Sequence, residues 1–415
     1  MRFFLFIFFT LAFNFQAEAS TITVCNSCKV SSIKEAVLVA KNGDTIYVKK
    51  GNYKETLIHI NKSIHLIGED YPIIDGENKV DTIFAIKANN FSISGFRFRN
   101  VGMSYTKEIA AIFITHSKNF VVKNNIFENV FYAFILQRAK YGVIKNNKIT
   151  GQEVDESKAG NGVHVWKCSQ LRIEENTIFG MRDGIYLEFV SKSFVSHNTS
   201  KNNARYGLHF MFSNNNEYHH NEFRNNGAGV AVMFSKHLKM HHNTFHYNWG
   251  SASYGLLLKE INDAEIHDNN FEQNTIGINI DGCNRITYKN NHFIRNGWAL
   301  KFTGGSYSNI FEYNNFMHNA FDLSYNSRLN NNKFEANYWS EYLGYDLDKN
   351  GLGDVPHRPV KLFSYIVNRT PETLVLLRSL FVDIINFSEK VSPVFTPNNL
   401  LDAKPLMKPI NPLNK

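Results

Sequence analysis

The chain is poor in the residues that would make it a disulfide scaffold. Its four cysteines in 415 residues are too few for a disulfide framework. Proline is also scarce, with nine in all, and several of these crowd into the closing stretch "SPVFTPNNLLDAKPLMKPINPLNK". Beyond the extreme N-terminus no segment reaches the roughly 18 apolar residues a membrane-spanning helix needs. Clustered charge is missing too. The net charge is +8, which suits an anionic partner, yet Lys and Arg are scattered. That pattern favours solubility and argues against nucleic acid as a partner. There is no clustered Asp pair and no DPHD-type epimerase signature, so the acid/base sets expected of polysaccharide lyases, hydrolases or epimerases are not evident.

What is present begins with "MRFFLFIFFTLAFNFQAEAS". Arg2 is a minimal positive region, Phe3 to Phe13 are apolar, and Ala17-Glu18-Ala19 fits a small-x-small cleavage site. Residues 1–19 therefore read as a secretory signal, which in a bacterial chain predicts the periplasm. Over the whole chain, 43% hydrophobic and 14% aromatic content, with 35 Phe against 4 Trp, is ample for a core.

Internal repetition decides the fold class. An N-x-F/I unit recurs at Asn125, Asn147, Asn176, Asn221, Asn243, Asn269, Asn291, Asn314 and Asn332, with Asn198-Thr199-Ser200 a degenerate copy. A second marker follows the same period: "GVHVW", "GIYLE", "GLHFM", "GVAVM", "GLLLK" and "GINID", starting at Gly162, Gly184, Gly207, Gly229, Gly255 and Gly277. Each alternates as a strand does. A third short strand precedes each Asn, as in "FVSHN" and "EYHHN". Three strands and three turns in about 22 residues describe one coil of a parallel β-helix, whereas helical solenoids need longer repeats. The predicted architecture is an all-β, right-handed parallel β-helix over residues 20–345 and a closing loop over 346–370. A C-terminal apolar helix with an extended tail follows over 371–415. "SSIKEAVLVAKNG" predicts a capping helix at the N-terminal end, with Ser31 or Ser32 as its cap and Gly43 as its stop. Stacking at about 4.8 Å per coil predicts an internal pile of Phe223, Phe245, Phe271, Phe293 and Phe316. The Asn residues are expected at the turns, where they tolerate left-handed geometry and bond coil to coil.

The Gly strands also assign the outer wall. Residues one and three after each Gly are apolar and point inward. Residues two and four after it then face out, which gives His164, Trp166, Tyr186, Glu188, His209, Met211, Met233, Leu257, Lys259 and Asp281. This aromatic and sulfur-bearing strip is either a protein-contact surface or a soft-metal site in which His209, Met211 and Met233, with His164, hold Cu(I). His219, His241 and His267 form another outward column, which reads as a solvated polar ladder. His220 and His242 stand beside it, before the corner Asn, where they can bond turn backbone. Cys25 and Cys28 in "CNSC" are either a local disulfide or a soft-metal entry site. Cys168 and Cys283 share a column five coils apart, about 24 Å at the coil spacing. That is far beyond the roughly 7 Å a disulfide allows, so they are free thiols. Asp346, Asp348, Asn350 and Asp354 imitate the start of a calcium loop, but His357 replaces the expected Glu and Pro356 blocks a following helix. The segment is a hard-cation loop or a hydrogen-bonded end cap. "TPETLVLLRSLFVDIINFSEKV", capped by Thr370, is too apolar to lie free in water; it packs on the solenoid or docks on a membrane or membrane protein.

Taken together, the leader, the Asn-rich coils, the closing "NYWSEYLGYDLDKNGLGDVPHRP" and the apolar C-terminal helix resemble the NosD family of nitrous-oxide reductase maturation proteins over nearly the whole mature chain. The resemblance implies a non-catalytic periplasmic accessory protein. Its implied partners are an ABC transporter (membrane subunit and ATPase), a copper chaperone and apo nitrous oxide reductase, in the assembly of that enzyme's copper–sulfur centre. The competing class is a carbohydrate-active enzyme on the same scaffold.

Overall fold

The computed structural model describes residues 19–104, 106–151, 156–250, 253–325, 331–391 and 400–411. The leader therefore lies outside the described residues apart from Ala19, as do part of the "TGQEVDESKAG" insert and residues 392–399 and 412–415 of the tail. Alternating side chains build a right-handed solenoid of three parallel sheets. Face one has 14 strands, from Thr21–Val24 to Lys333–Glu335. Face two has 13, from Asn52–Tyr53 to Tyr338–Trp339, and face three has 12, from Ile58–Ile60 to Phe321–Ser324. The Gly strands lie on face three, the strands before each Asn on face one, and the N-x-F strands on face two.

Every inward residue assigned from the Gly strands, Val163 through Ile280, is fully buried. Glycine leads these strands because the coils approach closely there. A Cβ on Gly229 would sit 2.4 Å from the Gly255 carbonyl oxygen, a distance no side chain tolerates. Phe223, Phe245, Phe271, Phe293 and Phe316 form the expected pile, with ring centroids 4.5–5.4 Å apart. Trp339 extends it at 4.1 Å. Asn332-Lys333-Phe334 is not part of this column, because Phe334 stacks on Phe311 in face one. The next true copy is Asn337-Tyr338-Trp339.

The repeated Asn is not the left-handed residue. That role falls to the residue before it: Asn124, Asn146, Glu175, His197, His220, His242, Asp268, Asn290, Tyr313 and Ala336 all have φ between 48° and 58°. The Asn itself turns inward and is buried. Its amide Nδ2 donates to the Oδ1 of the Asn in the next coil at 2.9–3.1 Å, from Asn125 through to Asn337. A buried amide must be satisfied, and a stack of identical amides does this for the whole column.

Both ends are closed. Helix α1 (Ile33–Val39) buries Ile33, Ala36 and Val37 over the first coils, and the Ser32 side chain caps it by accepting from the Glu35 amide. At the other end the tail residues 400–411 are not the extended tail the sequence predicts. They fold back onto the last coil, pairing Phe334 with Asp402 and Tyr338 with Leu406. The Asp402 carboxylate terminates the amide ladder. It accepts from Asn337 N and Nδ2, Ala336 N and Trp339 Nε1 at 2.9–3.1 Å.

The closing segment also departs from expectation. Residues 346–370 are not all loop, since Leu362–Arg369 forms helix α2. Thr370 ends α2 and makes no side-chain cap. The apolar run then divides into a 3-10 turn, Pro371–Leu376, and helix α3 (Leu380–Val391). Phe363, Val367 and Val382 pack on Ile276, Trp298 and Phe321 of face three's outer wall.

Candidate functional site

Chemistry-bearing side chains fall into three groups, two in the middle coils and one, a cysteine pair, at the N-terminal end. The first is the face-three strip. His164, Tyr186 and His209 are register partners in successive strands, as are Glu188, Met211 and Met233. The rings of His164, Tyr186 and His209 touch in series, the first pair tilted and the second edge-on, with centroids 4.8 Å apart in each. The Tyr186 hydroxyl donates to the Met211 sulfur at 3.7 Å. Met211 and Met233 face outward and are half-buried. His209 points outward from the sheet yet is only 4% exposed. Tyr206 lies against it at 4.9 Å, and Asp183 Oδ2 stands 3.6 Å from its Nδ1. The sequence pattern gives the direction of this side chain but not the cover laid over it. Burial also pushes the His164 imidazole down to about 4, so it is neutral at any ordinary pH. Asp183, fully buried with no hydrogen bond to its carboxylate, was not recognised in the sequence because it precedes the Gly that marks each strand.

The second group is the cysteine pair. Cys25 and Cys28 are joined as a disulfide, which corrects their reading as metal ligands: a metal binds thiolate, and oxidised sulfur has none to offer. Cys168 and Cys283 are free and buried, and burial raises both thiols to about 12.

The third group is the corner between faces one and two. Two histidine columns stand side by side there. His219, His241 and His267 stack with ring centroids 5.0 and 4.9 Å apart, nearly parallel. His197, His220 and His242 stack at 4.9 and 4.7 Å. Nδ1 of His219 lies 2.9 Å from Nδ1 of His220, and the same spacing joins His241 to His242. Among the described residues one set of three His, Cys, Asp or Glu side chains brings its ligand atoms within 4.8 Å of one another: His220, His241 and His242. The first column was expected as a solvated ladder; the second arises because a left-handed corner residue swings its ring beside the strand residue before it. Burial lowers the affinity of His219 and His220 for a proton, and the neighbouring imidazoles add to the effect.

The calcium reading of Asp346, Asp348, Asn350 and Asp354 finds no support. The Asp346 carboxylate accepts from the amides of Asn350 and Gly351, Asp348 from Asn350 N, and Asp354 from Leu347 N. The carboxylates hold their own loop together.

The fold places the chain among the parallel β-solenoids. It superposes on a Yersinia enterocolitica family 28 exopolygalacturonase with a TM-score of 0.58 at 10% identity, covering 76% of this chain and 79% of that one. It superposes on an Azotobacter vinelandii mannuronan C-5 epimerase module at 0.51 and 12%, covering 72% and 91%. At such identity the likeness is one of fold alone. The profile of a family described as "Periplasmic copper-binding protein (NosD)" matches residues 37–157 and 145–344. The chain belongs to the NosD family. A curated relative from Stutzerimonas stutzeri, named "Probable ABC transporter binding protein NosD", is 30% identical over 125 residues, 29% of each chain. A namesake from Pseudomonas aeruginosa is 30% identical over 128 residues, 30% of this chain and 29% of its own. The matched stretch is thus under a third of the relatives' length. The residues present suit copper, since imidazole and thioether are borderline and soft donors, and both kinds lie on the outer wall of the same two coils.

Proposed function

We propose that the protein is a periplasmic accessory factor in the maturation of the copper–sulfur centre of nitrous oxide reductase. It docks on the membrane subunit of an ABC transporter whose ATPase drives the cycle, receives copper from a copper chaperone, and presents copper or the apo-reductase on its solenoid wall. The observation that carries this reading is the C-terminal hairpin. Helix α2 and the inner edge of α3 are seated on face three. The opposite edge of the hairpin leaves Leu380 74% and Val375 86% exposed, with Phe381, Ile384, Phe387 and Val391 beside them. A contiguous apolar edge of this kind marks an interaction surface. No described helix is long and apolar enough to cross a membrane. The names of the curated relatives, which speak of ABC transporter binding, support the same partner.

The Glu188–Asp281 pair of the face-three strip is too widely spaced for a glycosidase. Glu188 and Asp281 lie in one register column, four coils apart, hence about 19 Å. Paired glycosidase carboxylates stand within roughly 10 Å. The test is co-purification with the transporter from periplasm-competent cells. Leu380→Glu with Phe387→Glu is expected to abolish the complex while leaving the solenoid folded; an intact complex overturns the docking.

A further inference from the structure

The geometry points to the paired-histidine corner as the copper-binding site of this protein: we propose that one copper ion is held by His220, His241 and His242. This deepens the copper reading above and rests on it. Three observations converge. First, the three imidazoles offer ligand nitrogens within 4.8 Å of one another, and two nitrogens about 2.0–2.1 Å from a shared metal lie no more than about 4 Å apart, so closure needs only small ring movements. Second, the ligand tautomer is set. His241 Nε2 lies 3.0 Å from Glu217 Oε1. For a neutral ring that contact is a hydrogen bond only if Nε2 carries the proton, so Nδ1, the atom facing His242 at 2.9 Å, holds the lone pair. A carboxylate behind a histidine is the usual means of orienting a metal ligand. Asp268 does the same for His267, with Nδ1 2.8 Å from its carboxylate, one coil further on. Third, His220 and His242 are exposed and His241 is half-buried, so an ion arriving from a partner meets the site directly, whereas His209 is covered.

The donor set is imidazole only. Such a site accepts several divalent ions, and among them Cu(II) binds tightest by the ordinary order of affinities.

The test titrates the full-length protein with Cu(II) alone and reads stoichiometry and nitrogen hyperfine coupling by electron paramagnetic resonance. The comparison set is His220→Asn with His241→Gln and His242→Asn, then Glu217→Ala, then Met211→Ala with Met233→Ala. Asn is chosen at 220 and 242 because it tolerates their left-handed backbone, and thermal melts confirm that each variant is folded. The expected result is loss of the tightest copper equivalent in the histidine variant, a 10–100-fold weakening in Glu217→Ala, and no change in the methionine variant. Unchanged tight binding in the histidine variant, with loss in the methionine variant, overturns the corner site and leaves the copper reading standing. No copper bound by the wild type overturns both.

Discussion

Asp402 is the side chain on which the C-terminal end of the solenoid turns, and Asp402→Ala is the most informative single change to the fold. The carboxylate is fully buried. It accepts from Asn337 N at 2.9 Å and from Asn337 Nδ2, Ala336 N and Trp339 Nε1 at 3.1 Å each. Truncation leaves four buried donors without a partner, each costing about 1–3 kcal/mol if water cannot reach it. Because the four share one acceptor, the losses are not additive, and about 4 kcal/mol is expected in all. A solenoid is stabilised chiefly between neighbouring coils, so the damage should start at the last coil. Hydrogen exchange is expected to show lost protection at Asn337 and Trp339 first, with the amide ladder fraying from that end and coils near Asn125 protected as before. Chemical denaturation should show an early transition or a midpoint lowered in proportion. Asp402→Asn keeps one acceptor and should cost about half as much. A melting curve for Asp402→Ala within about 1 kcal/mol of wild type, with unchanged exchange in the last coil, refutes the capping role.

Other expectations follow from packing and charge. Phe271→Ala opens a cavity in the middle of the aromatic pile and should cost about 3–5 kcal/mol, measured by urea denaturation. Burial pushes the Asp322 carboxyl up to about 6 from 3.8. Between those values the native state keeps a proton that the unfolded chain has lost, so stability falls as pH rises through that window and stays lowered above it. Asp322→Asn should remove this slope and stabilise the protein at pH 7 by on the order of 3 kcal/mol, read from melts at pH 4 and pH 7. Cys25→Ser with Cys28→Ser should leave copper stoichiometry unchanged, since the pair is already a disulfide.

Much of the fold was legible because a solenoid repeats its physics. The alternation after each Gly named the inward apolar residues of those strands, all of them buried, and the N-x-F period named the aromatic pile. The chemistry of Asn misled in one respect. Asn is the residue most often credited with left-handed turns, yet here the residue before it bends and the Asn serves as a buried amide. That shift makes His220 and His242 corner residues and brings the second histidine column beside the first. Long-range closure was not legible. Nothing local in "NNLLDAKPLMKP" says that Asp402 caps an amide ladder 65 residues upstream, and the prolines suggested an extended tail. Removing residues 371–415 would therefore uncap the solenoid as well as delete α3 from the hairpin, which is why point charges on α3 test docking more cleanly. Cover was equally hidden: His209 keeps its expected direction, and Tyr206 and Asp183 shield it.

The most direct measurement of the central claim is X-ray absorption at the copper edge on the loaded wild-type protein. The paired-histidine corner predicts nitrogen or oxygen scatterers near the usual metal–imidazole distance of about 2.0 Å, with outer-shell imidazole scattering. A sulfur shell near about 2.3 Å would place the ion on the methionine pair or elsewhere and contradict it.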